Sequence, residues 1–227
     1  VPVEVVHYPV KETEAVSQEK LGLSLDFDFN FLTVAQWSPR KDIENTVRWF
    51  VEEFHDQEVG LVVKTNVAKN CLYDRRLTTG KIRDLLNDEK YVNRKCKVYL
   101  LHGYMTEPEM AALYTNDKIK CYVTTTHGEG FGLPLFEAAY NALPILAPAW
   151  SGHVDFLYMK KKNKKGRRLK NVAMFTEVDY TLGPVMEQSV WEGVLEKDSM
   201  WAFADEESYK TTLRETRKNI RKAKSTA

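Results

Sequence analysis

Long hydrophobic runs are missing from this chain. No apolar stretch among its 227 residues approaches the ~20 needed to cross a bilayer, so no membrane span is expected. An excess of one charge sign is missing too: 33 Lys and Arg stand against 32 Asp and Glu. A formal net charge of +1 gives no global attraction to nucleic acid or to a membrane surface. Cysteine is scarce, and Cys71, Cys96 and Cys121 form an odd set without metal-ligand spacing. They read as free thiols in a reducing compartment. No pair of His, Cys or carboxylate residues has the spacing of a metal site. A nucleophile elbow, a Ser/His/Asp set and a Gly-x-Gly-x-x-Gly turn are also absent. No signal-peptide pattern opens the chain, which together with the thiols sets a cytoplasmic expectation. The first residue is Val1 instead of Met, as in a fragment or a processed chain.

A hydrophobic content of 43% with 29% charged residues suits a globular fold with a sizeable core. Apolar runs of strand length alternate with amphipathic windows. Strands are expected at residues 31–35, 59–63, 97–101, 120–125, 144–147 and 171–175. Helices are expected at 43–54, 79–86 and 107–114, then from the glycine motif to Asn141, and finally from Glu206 to Ala223. Thr106 reads as an N-cap, with Pro108 in the first turn after it. Such alternation predicts an α/β fold, a Rossmann-like doubly wound parallel sheet covered on both faces. Residues 1–27 read as an edge strand and interdomain connector. Residues 28–227 read as one ligand-binding domain closed by a charged C-terminal helix.

The most informative segment runs from His127 to Glu137, where Gly128, Gly130 and Gly132 alternate with Glu129 and Phe131 and Pro134 opens a helix. A strand, a glycine-rich turn and a helix start together cradle phosphate, because free N–H groups point out of the helix and glycine permits close approach. Glu129 and Glu137 suit sugar hydroxyls, since a carboxylate accepts two hydrogen bonds from a vicinal diol. In a sheet of order 3-2-1-4-5-6, the turn Trp37-Ser38-Pro39-Arg40-Lys41-Asp42, after the strand ending near Gln36, would face the glycine turn across the crevice. Arg40 and Lys41 would then neutralise a diphosphate. His127 could bond a phosphate or be satisfied by a backbone carbonyl. The Gly128-x-Gly130-x-Gly132 spacing is a poor dinucleotide signal, because it follows a late strand. Residues 160–168 are a run of cations that reads as a solvated loop or as a contact for an anionic surface, polymeric acceptor or nucleic acid.

The string Glu129-Gly130-Phe131-Gly132-Leu133-Pro134-x-x-Glu137-Ala138 resembles the E-x7-E motif of retaining glycosyltransferases of the GT-B fold, in the GT4-type group. Val34 to Lys41, Leu100 to Met105 and Ser151-Gly152-His153 resemble further segments of that family's C-terminal, donor-binding half. The resemblance spans about residues 30–220. It implies a nucleotide-diphosphate sugar (UDP- or GDP-linked) as donor, retaining hexosyl transfer, and no cofactor or metal. Lys41 would contact the diphosphate and Glu129 the donor sugar, the two catalytic positions. Arg40, Gln36, Ser38 and His127 would line the donor site. The backbone of Phe131, Gly132 and Leu133 would hold the distal phosphate, with Gly130 also in the donor site, Glu137 the ribose, and Gly103 with Tyr104 the base. Gln36 stands where the family usually has arginine. The implied partners are a glycan, lipid or protein acceptor and a separate N-terminal acceptor domain, without which transfer is expected to be weak. The alternatives are a GT-B nucleotide-binding relative without transferase activity, or a nucleic-acid-binding module using the basic segment.

Overall fold

Strands that are apolar on both faces must be covered on both faces, and the alternation along β1 shows how. In the computed structural model, which describes Glu4, residues 12–162 and residues 169–224, Phe31 and Leu32 are both fully buried but belong to different cores. Phe31 packs with Phe50 and Phe54 of a helix on one side of the sheet. Leu32 packs with Leu113, Leu135 and Ile145 on the other.

The elements in chain order are α1 (Gln18–Leu21), β1 (Asn30–Val34), α2 (Ile43–Phe54), β2 (Gly60–Lys64), α3 (Leu72–Leu86), β3 (Lys97–Leu101), α4 (Glu107–Tyr114), β4 (Ile119–Val123), α5 (Leu133–Tyr140) and β5 (Ile145–Pro148). Then follow α6 (Val154–Leu157), β6 (Tyr158–Lys162), β7 (Leu169–Ala173), β8 (Thr176–Val178), β9 (Tyr180–Pro184), β10 (Met200–Ala204), α7 (Glu206–Lys218) and α8 (Ile220–Lys224). A parallel sheet of six strands has the order β3-β2-β1-β4-β5-β8. The Rossmann-like class and the expected neighbour order therefore hold, and β1 lies beside β4. Among the described residues, no helix is long and apolar enough to cross a membrane.

Several sequence expectations need correction. The sixth strand is Thr176–Val178. Residues 169–173 instead pair antiparallel with β6 as a separate hairpin. That hairpin is mostly exposed and carries Lys160, Lys161, Lys162 and Lys170, which a doubly covered strand could not bury unpaired. The first three residues of the expected basic loop are thus strand, and residues 163–168 lie outside the described residues, as do residues 1–6 of the expected edge strand apart from Glu4. α3 starts at Leu72, well before residue 79. Its first turns expose Leu72, Tyr73 and Leu77, so no apolar stripe marks them. The antiparallel pair β9–β10 was not among the expected strands. The closing helix breaks at Asn219.

The covering helices are tied down by specific contacts. On α7, Tyr209 packs against Trp49 of α2 with ring centroids 5.8 Å apart, and Arg214 grips Glu53 with two bonds of 2.7 Å. On the other face, the residues before β1 dock on α4: Gln18 donates to the Ala112 carbonyl at 2.9 Å and accepts from Asn116 at 2.6 Å. Phe31 is the central plug of the first core, and a Phe-to-Ala cavity of this kind costs about 3–5 kcal/mol. Phe31→Ala is expected to lower unfolding stability by that amount in urea titration, and a loss below ~1 kcal/mol would contradict the packing described.

Candidate functional site

After β1 the chain turns sharply at the C-terminal edge of the sheet. Pro39–Lys41 form a single 3-10 turn, with the Lys41 N–H donating to the Ser38 carbonyl at 3.0 Å. Asp42 then takes a left-handed backbone (φ 47°), which aspartate tolerates better than most residues. This reversal starts α2 while leaving Arg40 and Lys41 on the rim. The turn is docked on the end of β4. The His127 N–H donates to the Arg40 carbonyl at 2.8 Å, the Thr125 hydroxyl donates to the Asp42 carbonyl at 2.8 Å, and Thr46 meets Thr125 at 2.8 Å.

Across the gap, the glycine turn presents Glu129 to this cationic turn. Lys41 Nζ reaches both carboxylate oxygens of Glu129, at 2.6 and 2.5 Å, and the side chains are only 14% and 6% exposed. Burial holds the Lys41 ammonium below the usual lysine range, against the opposing pull of Glu129. Arg40 donates to the Gly128 carbonyl and lies 3.5 Å from Glu129. Glu129 is also fixed through its backbone. Its N–H donates to the Ser151 hydroxyl at 2.6 Å, and its carbonyl accepts from the Gly152 N–H at 3.0 Å. A Cβ on Gly152 would lie 2.0 Å from the Gly130 carbonyl oxygen, so only glycine fits there.

Gly132 caps α5 with φ 89°, and Pro134 sits in the first turn. Phe131 packs beside Phe136 and Phe156, with centroids 5.4 and 5.1 Å away, and leaves Leu133 partly exposed. One turn on, Glu137 accepts from the Tyr114 hydroxyl at 2.9 Å. Burial raises both the Glu137 and the Tyr114 pKa, which keeps the phenol a donor. Gly103 follows β3 with φ 118°, and Tyr104 beside it is 76% exposed.

Gln36 and His127 both bond backbone carbonyls of the protein. Gln36 donates to the Val67 carbonyl at 2.8 Å, on the loop after β2. His127 is buried: Nδ1 meets the Ala202 carbonyl at 2.8 Å, the ring stacks on Trp201, and Nε2 has no partner among the described residues. Burial lowers its pKa, so it is neutral near pH 7. Ser38 makes no side-chain capping bond at its turn. The structure therefore brings Arg40, Lys41, Glu129 and the backbone of residues 128–133 together, with Glu137 on the helix that follows. Asp42, Tyr114, Ser151 and Gly152 complete the arrangement, and of these only the Ser151-Gly152 turn carried a sequence signal.

The half-buried carboxyl of Asp42 has its pKa raised to about 6, chiefly by desolvation. A carboxyl raised above its unfolded value of 3.8 is preferentially protonated in the native state. The cost of ionising it is absent below about pH 4 and complete above about pH 6. Asp42→Asn keeps the size and the tolerance of left-handed backbone. It is expected to gain stability over the wild type between pH 4 and pH 7, by up to about 3 kcal/mol, in urea titrations at both pH values. A pH-independent difference would rule this out.

Comparison with solved structures returns the same architecture. A glycosyltransferase from Rickettsia africae ESF-5 superposes with a TM-score of 0.56 at 11% identity, over 93% of this chain and 47% of its own. The sucrose-phosphate synthase of Thermosynechococcus elongatus gives 0.54 at 17% identity, over 94% of this chain and 42% of its own. This chain thus spans less than half the length of either structure. No protein-family model matches it, and no curated protein matches it by sequence. At these identities the likeness is one of fold: the chain has the Rossmann-like fold of one part of these glycosyltransferases.

Proposed function

We propose that this chain is the donor-binding half of a retaining GT-B glycosyltransferase and binds a nucleotide-diphosphate sugar. The observation that carries the reading is the buried Lys41–Glu129 pair, formed between two sequence-distant turns at the start of α5. A buried ion pair is a poor stabiliser, because desolvating both charges offsets their attraction. Here it stands where an incoming ligand can exchange both partners at once. A phosphate takes Lys41, and sugar hydroxyls take Glu129.

In this reading the N–H groups at the start of α5 hold the distal phosphate, and Lys41 and Arg40 stabilise the charge that develops on the departing diphosphate. Those cations and amides do the neutralising, so the reading calls for no metal. Glu137, held by Tyr114, accepts from the ribose hydroxyls. Gly103 and Tyr104 border the base. The acceptor hydroxyl attacks the anomeric carbon from the face the diphosphate leaves, with retention. The acceptor itself would be bound by a second domain, so this chain alone is expected to bind nucleotide and to transfer sugar poorly.

Calorimetry with UDP, GDP and ADP tests the reading, and absence of heat with all three would sink it. Glu137→Ala is expected to weaken the binding by about 10-fold or more, the worth of hydrogen bonds to a charged group. Replacing Lys160, Lys161 and Lys162 with serine is expected to leave nucleotide affinity unchanged, since these residues sit on a separate two-stranded sheet. A basic-segment nucleic-acid binder would show the reverse pattern, with polynucleotide binding that falls steeply with salt.

A further inference from the structure

Lys64 ends β2 at the same rim and played no part in the reading of the sequence. Its side chain is half-buried, and Nζ donates to the Gly103 carbonyl at 2.5 Å. No described carboxylate lies within ion-pair reach of it. Lys41 and Lys210, by contrast, are neutralised, Lys41 by Glu129 and Lys210 by Glu52 and Glu206. Asp74, on the helix that follows β2, is fully engaged elsewhere. It accepts from the N–H groups of Val67, Ala68 and Lys69, from Thr78 and from His102. Burial depresses the Lys64 pKa with no opposing carboxylate. A desolvated cation without a counter-ion is costly, and a site that keeps one is prepared for an anion.

The surroundings fix where that anion would sit. Lys64 pairs in register with Val34, and its carbonyl accepts from the Ala35 N–H at 3.1 Å, so it lies one strand from the Arg40–Lys41 turn. Trp37 and Gln36 bond the Asn66 and Val67 carbonyls at 2.8 Å each, which ties the two loops together. Gln36 thereby spends its amide on the protein. Gly103, whose carbonyl is turned onto Lys64, follows β3 on the other side, and a Cβ there would come within 3.3 Å of Asn70. The unpaired ammonium therefore stands between the cationic turn and the turn proposed to border the base.

We propose that Lys64 is a diphosphate-binding residue of the donor site, supplying the cation that the Gln36 position does not. This rests on the donor reading given above. The ligand class it recognises is the phosphate of a nucleoside diphosphate, not the base. Lys64→Met removes the charge and keeps the stem. Lys64→Gln removes the charge and keeps a donor for the Gly103 carbonyl. Both are titrated as full chains with UDP, GDP and ADP, with uridine, guanosine and adenosine, and with inorganic pyrophosphate. Each variant is expected to lose about 10- to 100-fold in affinity for the nucleoside diphosphate that the wild type binds and for pyrophosphate, with nucleoside binding unchanged. Neither variant is expected to unfold at a lower temperature than the wild type in the absence of ligand. Diphosphate binding equal to wild type in Lys64→Gln, or an equal loss for the nucleoside, overturns the assignment and leaves the donor reading standing. A wild-type chain that binds none of these diphosphates overturns both.

Discussion

Everything at the rim depends on the docking of one turn onto one strand end. The segment after β1 carries the cations and the segment after β4 carries the glycines. Bonds from His127 and Thr125 to the Arg40 and Asp42 carbonyls hold the two together. These bonds form because β1 and β4 are neighbours in the sheet, at the point where strand order reverses direction and the connecting turns splay apart. Without that contact Lys41 would be a solvated lysine and Glu129 a loop carboxylate.

The site holds several features that a stability argument alone would not retain. A lysine and a glutamate are buried against each other, an aspartate is left-handed and desolvated, and a second lysine is half-buried without a counter-ion. Their common feature is charge withdrawn from water at the rim where the glycine turn leads into α5. In the proposed reading, an anion with hydroxyl groups attached supplies what burial has taken away. The support behind it is rigid. Ser151 and Gly152 clamp Glu129 from the next strand end, and α7 clamps α2 through Arg214 and Tyr209.

Legibility in the sequence followed burial. Strands covered on both faces wrote themselves as apolar runs, and five of the six sheet strands were placed within a residue or two. The stretch from Tyr158 to Ala204 was much less readable. Its hairpins β6–β7 and β9–β10 are partly exposed, so their side chains carry mixed signals, and Gly183 and Pro184 look like a turn although they lie in a strand beneath Phe203. The start of α3 was hidden because Asp74, by accepting from three loop N–H groups, organises a turn whose apolar residues face outward. His127 illustrates an ambiguity that no spacing resolves. Whether a histidine beside glycines faces a ligand or a carbonyl depends on what packs over it, and here β10 does.

The sequence by itself determined the class of the sheet, the order of its main elements, and the glycine turn with its two glutamates, because these rest on periodicity and on residues with special backbone freedom. Only the tertiary structure decided which charges meet. Lys41 lies 88 residues from Glu129 and Lys64 lies 39 from Gly103, and each contact follows from strand register and loop direction, which local pattern does not encode.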